Sequence, residues 1–306
     1  MLTTKDDRWP RIVAWCGREL GSAPVTLLFA SGHISEVVGV ELDDGRRAVI
    51  KARPAMARVP SVVVIQRRLF EQGFPCPQPL SDVARLDGVI ITAEALVPAD
   101  TLIGPPPASE CAELLAELVE LAGDPGDFPE LVPPLPWVAW DHQGPGQWPP
   151  PDDLDVDLNQ PPGPGWLEEA ARQVRARLAR DHHELVIGHC DWEAQNFGWR
   201  SGHIAVVYDW DSVGIRTEPG LAGAAAAVFP STAGGPVAAD LGQTDAFLQA
   251  YRLRRRHWDD DATEVAYAAG LWVLLYNARK ELAGGGSGYL AHLARDLQER
   301  LQRAGV

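Results

Sequence analysis

The span from Val186 to Gly214, VIGHCDWEAQNFGWRSGHIAVVYDWDSVG, carries several acids and one carboxamide beside runs of strand-forming residues. Its polar residues of interest are His189, Asp191, Asn196, Asp209 and Asp211. The pattern predicts a strand, a loop that ends at Asn196, and a hairpin whose returning strand ends near Asp209. Antiparallel pairing can bring Asp209 back beside Asn196, and a carboxylate with a carboxamide oxygen suits Mg²⁺. Asp191 could then accept the proton of an attacking hydroxyl group.

These residue types also have an ordinary structural explanation. Asp and Asn are common in turns, where their side chains bond their own backbone. Considered alone, Asp191 and Asn196 are better explained as turn residues. The choice between the two explanations therefore depends on what the rest of the chain contains.

The composition argues against several classes of protein. The 306 residues are 46% hydrophobic and 23% charged, as in a globular chain with ample core. The formal net charge of −15 disfavours nucleic acid and anionic membranes as partners, and it suits cationic small molecules or anionic ones carried with a metal. The four cysteines form no CxxC pair, the N-terminus shows no secretory pattern, and the apolar runs are too short to span a bilayer. We therefore expect a cytoplasmic protein.

The first hundred residues predict a mostly antiparallel sheet with one inserted helix. Strands are expected at 25–30, 35–42, 46–52 and 88–96. The tripeptide DDG at 43–45 is typical of a hairpin turn. Helices are expected at 8–20 and at 61–73, and Gly73 stands where the second helix stops. The buried face of this second helix is predicted to hold Val62, Ile65, Leu69 and Phe70.

From residue 109 onward the pattern becomes mostly helical. Helices are expected at 109–123, 166–181, 244–255, 261–285 and 289–305. Ser109 is the predicted cap of the first of these, and the run from Asp259 to Asp261 caps the fourth. The Pro- and Trp-rich segment at 124–165 is long for a loop, and its tryptophans argue against full disorder. We thus predict an α+β chain with a small β-rich N-lobe at 1–97 and a larger helical C-lobe at 98–306.

Several motifs, in a fixed order, resemble those of one enzyme family. HCDWEAQN resembles the His-x-Asp-x-x-x-x-Asn catalytic loop of the aminoglycoside phosphotransferase and choline kinase-like enzymes, which are relatives of the protein kinases. VVYDWD resembles the strand that ends in their metal-binding aspartate. VIKARP, RRLFEQGFPCPQPL and ITAEAL resemble the lysine strand, the helix with its connection, and the hinge. The resemblance covers roughly residues 25–230 and implies a bilobal, protein-kinase-like fold.

The resemblance implies a role for each matched position. Asp191 would orient and deprotonate the acceptor hydroxyl, while Asn196 and Asp209 would hold Mg²⁺ ions that bridge the nucleotide phosphates. Lys51 would bind the α- and β-phosphates. Further nucleotide contacts would come from the loop between Ala30 and Val40 and from the hinge between Ile91 and Leu96. The residues concerned are Ser31, Gly32, Ser35, Ala93, Glu94 and Leu96.

Two positions depart from the family pattern. The family lysine usually pairs with a glutamate on the following helix, yet here that helix reads SVVVIQRRLF and has no acid at the expected place. Gln66 is the nearest polar substitute, and Glu71 is too close to the helix end. The second departure is Gly220, which stands where relatives carry an aspartate that supports the catalytic loop. The partner of Lys51 and the support of the loop are therefore open questions.

The sequence predicts a small-molecule kinase that uses Mg²⁺ and ATP or GTP. The acceptor would be a hydroxyl group of an aminoglycoside-like compound, an amino sugar or another polar alcohol, as in enzymes of antibiotic resistance. A macrolide-type acceptor is an alternative, because the tryptophans at 137–148 could line an apolar pocket. The same acids would also suit a nucleotide-binding pseudokinase or a metal-dependent hydrolase. The oligomeric state is not determined by the sequence.

Overall fold

The computed structural model describes residues 9–32, 35–86, 88–102, 104–232, 234, 237–255 and 258–306. Within these residues the chain forms two compact units. The first unit consists of Met1–Ala99 together with Val206–Asp211, and the second of Asp100–Ala205 together with Ser212–Val306. The segment that ends in the Asp-Trp-Asp motif thus belongs to the β-rich N-terminal unit. The predicted α+β class, with an antiparallel N-lobe sheet and a helical C-lobe, is confirmed.

The first unit is built on one five-stranded antiparallel sheet. Its elements are α1 (Trp9–Glu19), β1 (Pro24–Gly32), β2 (Glu36–Leu42), β3 (Arg47–Pro54), α2 (Val59–Glu71), β4 (Ala84–Leu86) and β5 (Val89–Ala95). The strands follow the order β1-β2-β3-β5-β4. The tight turn between β2 and β3 uses Gly45 at a φ of 84°, a conformation that glycine adopts without strain. The sequence did not predict strand β4, because its three residues are too few for an alternating pattern to be recognised.

Helix α2 follows β3 and ends as predicted. Val62, Ile65 and Leu69 are buried, and Gly73 leaves the helix with a φ of 86°. Phe70 was expected on the same face but is 38% exposed, so that prediction is wrong. A residue directly after Leu69 is rotated by about 100° around the helix axis and leaves the face that Leu69 shares with Ile65 and Val62.

The second unit is mostly helical. Its helices are α3 (Ala108–Ala122), α4 (Gly165–Leu178), α5 (Glu218–Val228), α6 (Leu241–Arg255), α7 (Asp260–Leu282) and α8 (Tyr289–Arg303). Its strands are β6 (Leu185–His189), β7 (Phe197–Arg200), β9 (Val213–Thr217) and β8 (His203–Val207), the last of which runs on into the first unit. β6 pairs with β9, and β7 with β8. Among the described residues, no helix is both long enough and apolar enough to cross a membrane.

Two of the predicted helix caps have different outcomes. Asp259 caps α7, because its side chain accepts a hydrogen bond from the backbone N–H of Ala262. Ser109 does not cap α3, because that helix begins at Ala108 with Pro107 as the capping residue and without a side-chain cap bond. Helix α5 and strand β9 were not predicted. The run of alanines and glycines in α5 has no amphipathic pattern, since nearly every residue of this helix is buried.

The Pro- and Trp-rich segment between α3 and α4 has a defined structure. It contains three short 3-10 helices at Pro125–Asp127, Pro129–Leu131 and Pro136–Val138. Trp140 and Trp148 are only 2% and 1% exposed. The guanidinium of Arg175 donates to the carbonyl oxygens of Trp140 at 2.8 Å and His142 at 2.6 Å, which fixes the segment to α4. The tryptophans therefore belong to the core of the second unit.

Helices α5 and α7 approach each other closely at two glycines. A Cβ atom built on Gly223 would lie 1.9 Å from the carbonyl oxygen of Ala266, and one built on Gly270 would lie 2.7 Å from the carbonyl oxygen of Gly223. Both neighbours are backbone atoms, which cannot rotate away as a side chain can. The contact between the two helices therefore requires that both positions lack a side chain.

We expect Gly223→Ala to destabilise the chain by about 3 kcal/mol or more, because the added methyl group overlaps the backbone of α7. The midpoint of thermal unfolding, followed by circular dichroism, measures this loss. Gly17→Ala is the matched control, since this exposed glycine inside α1 has no atom within 4 Å of a built Cβ. The control should gain about 0.5–1 kcal/mol from the better helix propensity of alanine. Equal midpoints for the two variants would contradict the close helix contact.

Candidate active site

A cavity of about 350 Å³ opens in the first unit between the sheet and the Asp-Trp-Asp segment. Its lining consists of Phe29, Val37, Val49, Lys51, Pro77, Glu94, Ala95, Leu96, Val97, Tyr208 and Asp209. Apolar side chains provide most of the wall, and the charged groups are Lys51, Glu94 and Asp209. This combination of an apolar wall with a few charged groups is typical of a site for a small molecule that has an apolar part and an anionic part.

Lys51 lies on β3 and forms an ion pair inside this cavity. Its Nζ is 3.1 Å from Oε1 of Glu94, which lies on β5, the strand next to β3. The other carboxylate oxygen of Glu94 accepts a hydrogen bond at 3.0 Å from the side-chain amide of Gln66 on α2. The acid that the sequence did not show on the helix is therefore present on a neighbouring strand, and Gln66 connects it to the helix.

The charge of Lys51 is retained despite its burial. The residue is only 9% exposed, and burial by itself lowers the pKa of its ammonium group. The carboxylates of Glu94, Asp211 and Asp209 act in the opposite direction and together raise this pKa above its ordinary value. Lys51 is thus a buried cation at neutral pH and can bind an anionic group.

The segment after β8 is held tightly to the first unit. The strand was predicted to end near Asp209, but it ends at Val207 and a 3-10 turn follows at Trp210–Ser212. The chain leaves the strand at Asp209, whose φ of 58° is uncommon for a residue other than glycine. Arg53 donates to a carboxylate oxygen of Asp211 at 2.6 Å. The strained backbone at Asp209, next to an anchored neighbour, marks it as a functional candidate.

The predicted phosphate loop and hinge are partly regular structure. Ser31 and Gly32 form the end of β1, where they pair with Val37 and Glu36 of β2. Ser35 lies in a half-buried bend before β2, and positions 33 and 34 of the predicted loop lie outside the described residues. None of these three small residues is among those that line the cavity in the described part of the chain.

The hinge residues differ in which groups they leave for a ligand. Ala93 donates its N–H to Oγ of Ser81 at 2.9 Å, and Leu96 donates its N–H to the carbonyl oxygen of Arg47 at 3.0 Å. The side chain of Glu94 is directed to Lys51. Tyr208 donates its hydroxyl to the carbonyl oxygen of Val97 at 2.8 Å, which ties the end of the hinge to the segment that carries Asp209.

The second unit holds Asp191 and Asn196 in one compact loop. The side-chain amide of Asn196 donates to the backbone oxygen of Asp191 at 2.9 Å and to its Oδ2 at 2.8 Å. The backbone N–H of Asp191 donates to Nδ1 of His189 at 3.3 Å, and His189 is fully buried. The amide nitrogen of Asn196 is therefore used within the loop, and its amide oxygen is a donor atom of the kind that Mg²⁺ prefers.

Two tryptophans anchor this loop. The indole N–H of Trp137 donates to the carbonyl oxygen of Cys190 at 2.8 Å, and that of Trp192 donates to the carbonyl oxygen of Cys111 at 3.0 Å. At Gly220 a built Cβ would lie 2.7 Å from Oγ1 of Thr217, so a larger residue there would require its neighbours to shift. Trp137 belongs to the Pro- and Trp-rich segment, which therefore contributes to holding the loop.

Glu193 is a buried acid of the same loop that the sequence analysis did not single out. It is 8% exposed, and its Oε2 accepts a hydrogen bond from the amide of Gln195 at 2.5 Å. Burial and the neighbouring carboxylate of Asp191 raise the pKa of Glu193 well above its ordinary range. The raised pKa favours the protonated form of Glu193, whereas Asp191 is the less buried of the two acids. Nothing in the motif marked this position, because its burial depends on the tertiary structure.

Asp209 and Asn196, the two predicted metal ligands, each offer an oxygen donor of the kind that Mg²⁺ prefers. Asp209 has a carboxylate in the first unit, and Asn196 has a carboxamide oxygen in the second. Within the described residues, no group of three or more His, Cys, Asp and Glu side chains is arranged to hold a metal ion.

Comparisons with known proteins agree with the motifs. The family model described as "Phosphotransferase enzyme family" matches residues 26–258, which is well over half of the chain. A search of curated protein sequences finds no match.

Three solved structures illustrate the structural likeness. The amicoumacin kinase hAmiN, in complex with AMP-PNP, Ca²⁺ and Ami, has a TM-score of 0.63 and 11% identity, with 96% of this chain and 93% of that chain covered. The spectinomycin phosphotransferase APH(9)-Ia, in complex with ADP and its antibiotic, has a TM-score of 0.59 and 12% identity over 97% and 93%. The macrolide 2'-phosphotransferase MphH from Brachybacterium faecium has a TM-score of 0.57 and 16% identity over 94% and 98%. At these identities the likeness is one of fold, and the fold is protein-kinase-like.

Proposed function

The chain belongs to the phosphotransferase enzyme family, and we propose that it transfers the γ-phosphoryl group of ATP or GTP, with Mg²⁺, to a hydroxyl group of an aminoglycoside-like compound, an amino sugar or another polar alcohol. The family consists of phosphotransferases that act on alcohol groups of small molecules, and the chain is an enzyme of this type. The family assignment does not include the identity of the nucleotide, the metal or the acceptor, and these three are part of the proposal. An enzyme of this kind would work in the cytoplasm, where its nucleotide is found.

The buried ion pair of Lys51 and Glu94 beside Asp209 is the observation that carries the proposal. A cation that is 9% exposed and still charged needs an anionic ligand or partner to justify its burial, and it lies in a cavity with an apolar wall. A nucleotide has an apolar base and a charged phosphate chain, so it matches both features. Two structural relatives were solved with AMP-PNP and ADP, which supports a nucleotide as the donor.

In the proposed mechanism the side chains mainly position groups and balance charge. Lys51 binds phosphate oxygens of the donor, and Asp209 and Asn196 would hold Mg²⁺, which neutralises the negative charge that the phosphates carry. Asp191 accepts the proton of the acceptor hydroxyl as the oxygen attacks the γ-phosphorus, and the bond from this phosphorus to the β–γ bridging oxygen breaks to release nucleoside diphosphate. Asn196 keeps the Asp191 carboxylate oriented through its 2.8 Å hydrogen bond.

The first unit also suggests where the nucleotide base would bind. Phe29, Val37 and Val49 provide an apolar surface in the cavity, and Leu96 and Val97 are the lining residues that follow β5. The N–H groups of Ala93 and Leu96 already donate within the protein, so a base would be bound through other groups of the 96–97 segment. Such contacts come mostly from the backbone, and they suit ATP and GTP alike.

A macrolide acceptor and a pseudokinase are the two functions that compete most directly with this proposal. A macrolide acceptor fits the structural likeness to MphH. Of the three tryptophans at 137–148, Trp140 and Trp148 are buried in the core, and the half-buried Trp137 is the one that could contact an apolar compound. A pseudokinase was suggested by the absence of a helix acid. Glu94 gives Lys51 a carboxylate partner, which favours a catalytic role over mere nucleotide binding.

A nucleotide-consumption screen tests the proposal. The purified chain is incubated with Mg-ATP or Mg-GTP and with aminoglycosides, amino sugars, macrolides or choline-like alcohols, and the release of nucleoside diphosphate is measured. We expect one acceptor class to stimulate consumption at least about tenfold, because correct positioning of the acceptor provides much of the rate enhancement. Nucleotide binding without consumption for any acceptor would support a pseudokinase. Phosphate release from substrates other than nucleotides would support a hydrolase.

A further inference from the structure

A kinase lysine works only when another group holds its ammonium in position, and the usual holder is an acid on the helix after its strand. Helix α2 offers no such acid, since its buried polar side chain in mid-helix is Gln66 and its acid, Glu71, is exposed at the helix end. The position of Lys51 must therefore be fixed in another way. This question rests on the proposed function, because it matters only if Lys51 binds phosphate.

We propose that Glu94 on β5 is the positioning residue for Lys51, and that Gln66 on α2 orients Glu94 in turn. The two oxygens of the Glu94 carboxylate have separate partners, with Oε1 at 3.1 Å from Nζ of Lys51 and Oε2 at 3.0 Å from the amide nitrogen of Gln66. Because each oxygen is engaged by a different element, the plane of the carboxylate is fixed. The acid that contacts Lys51 is thus on strand β5, and helix α2 contributes the amide of Gln66.

The chemistry of Gln66 matches this role. Its amide nitrogen also donates to the carbonyl oxygen of Pro77 at 2.9 Å, so both N–H bonds have an acceptor. A glutamate at position 66 would direct a carboxylate at the carboxylate of Glu94 and at this carbonyl, which is unfavourable in a site that is only 4% exposed. An amide at 66 and an acid at 94 are therefore complementary, and exchanging either one alone breaks the arrangement.

The arrangement leaves Lys51 available to a ligand. Lys51 and Glu94 both line the cavity, together with Asp209. An ammonium group has three N–H bonds, and the ion pair with Glu94 uses one of them. Held in this way, the lysine presents a fixed positive charge to phosphate oxygens, whereas a lysine without its partner would lose the contact that fixes its position.

The test compares Glu94→Gln with the wild-type chain in nucleotide consumption and in Mg-nucleotide affinity. The rate at saturating nucleotide should fall about 10- to 100-fold, because a charge-assisted hydrogen bond that positions the catalytic cation is lost. The dissociation constant should change by less than this factor, since Asp211 and Asp209 still act to raise the pKa of Lys51. Glu94→Asp retains the charge on a shorter side chain and should lose less. Gln66→Met should lower the rate in the same direction but by a smaller factor. Glu41→Gln, an exposed glutamate of β2 paired with Arg47, is the matched control and should not change the rate.

A double-mutant cycle separates positioning from general support of the fold. In a Lys51→Met background, Glu94→Gln should change the rate by less than about twofold, because Glu94 then has no lysine to position. If Glu94→Gln leaves the rate of the wild-type chain unchanged, or lowers it equally in both backgrounds, the inference is wrong while the proposed function stands. A wild-type chain that neither binds nor consumes Mg-nucleotide contradicts the proposed function, and the inference with it. If Glu94→Gln does not fold, Glu94→Asp measured in both backgrounds decides in the same way.

Discussion

Asp191→Asn should lower phosphoryl transfer by a factor of about 10²–10⁴, the contribution that a positioned general base usually makes. The asparagine has nearly the same shape, and its side-chain oxygen can still accept the hydrogen bond that Asn196 donates at 2.8 Å. It cannot accept the proton of the acceptor hydroxyl. Glu193 does not replace the base, because its carboxylate is buried and its Oε2 accepts a hydrogen bond from the side-chain amide of Gln195.

Nucleotide binding provides the internal control for this variant. Asp191 lies in the second unit, whereas Lys51, Glu94 and Asp209 lie in the first, so the affinity for Mg-nucleotide should stay within a few-fold of the wild-type value. Asp127→Asn, an exposed acid in the same unit, is the matched control and should transfer at the normal rate. The measurement is the initial rate with the best acceptor from the screen. Near-normal turnover of Asp191→Asn would remove the assignment of Asp191 as the base.

The sequence predicted those parts of the fold and of the site that depend on local patterns. The α+β class, the antiparallel N-terminal sheet and the family were predicted from strand periodicity and from short motifs, and all three are confirmed. Asp191 and Asn196 are five positions apart, and the loop that joins them is short enough for the spacing itself to imply their contact.

The parts that the sequence did not predict depend on contacts between distant positions. Lys51 and Glu94 are 43 positions apart and meet only because β3 and β5 are neighbours in the sheet, where Lys51 pairs with Thr92. The motif ITAEAL resembles a hinge, and nothing in it indicates that the Glu94 side chain is directed to Lys51. Helix α5 was missed for a related reason, since a helix buried on all sides lacks the polar face that a periodicity search requires.

Substitution of Asp209, the strained aspartate of the first unit, is expected to have the second large effect. Asp209→Asn should abolish the part of nucleotide binding that depends on Mg²⁺, because a carboxamide is a weaker ligand than a carboxylate and carries no charge to balance the cation. Asparagine is the right replacement, since it tolerates the φ of 58° at this position and so leaves the backbone undisturbed.

Thermal unfolding with Mg-nucleotide and with nucleotide plus a chelator measures this loss. A ligand at about 100 times its Kd adds about 2.7 kcal/mol to the free energy of unfolding, and the variant should lose most of this gain. Asp211→Asn is the matched comparison, because Asp211 is two residues away but accepts a hydrogen bond from Arg53 at 2.6 Å. That change should lower the unfolding midpoint without ligand, since it weakens the ion pair of an arginine that is 3% exposed, and it should leave the Mg²⁺-dependent gain largely intact. If Asp211→Asn lost the Mg²⁺-dependent gain and Asp209→Asn kept it, the metal ligand would be Asp211, and the assignment of Asp209 would be wrong.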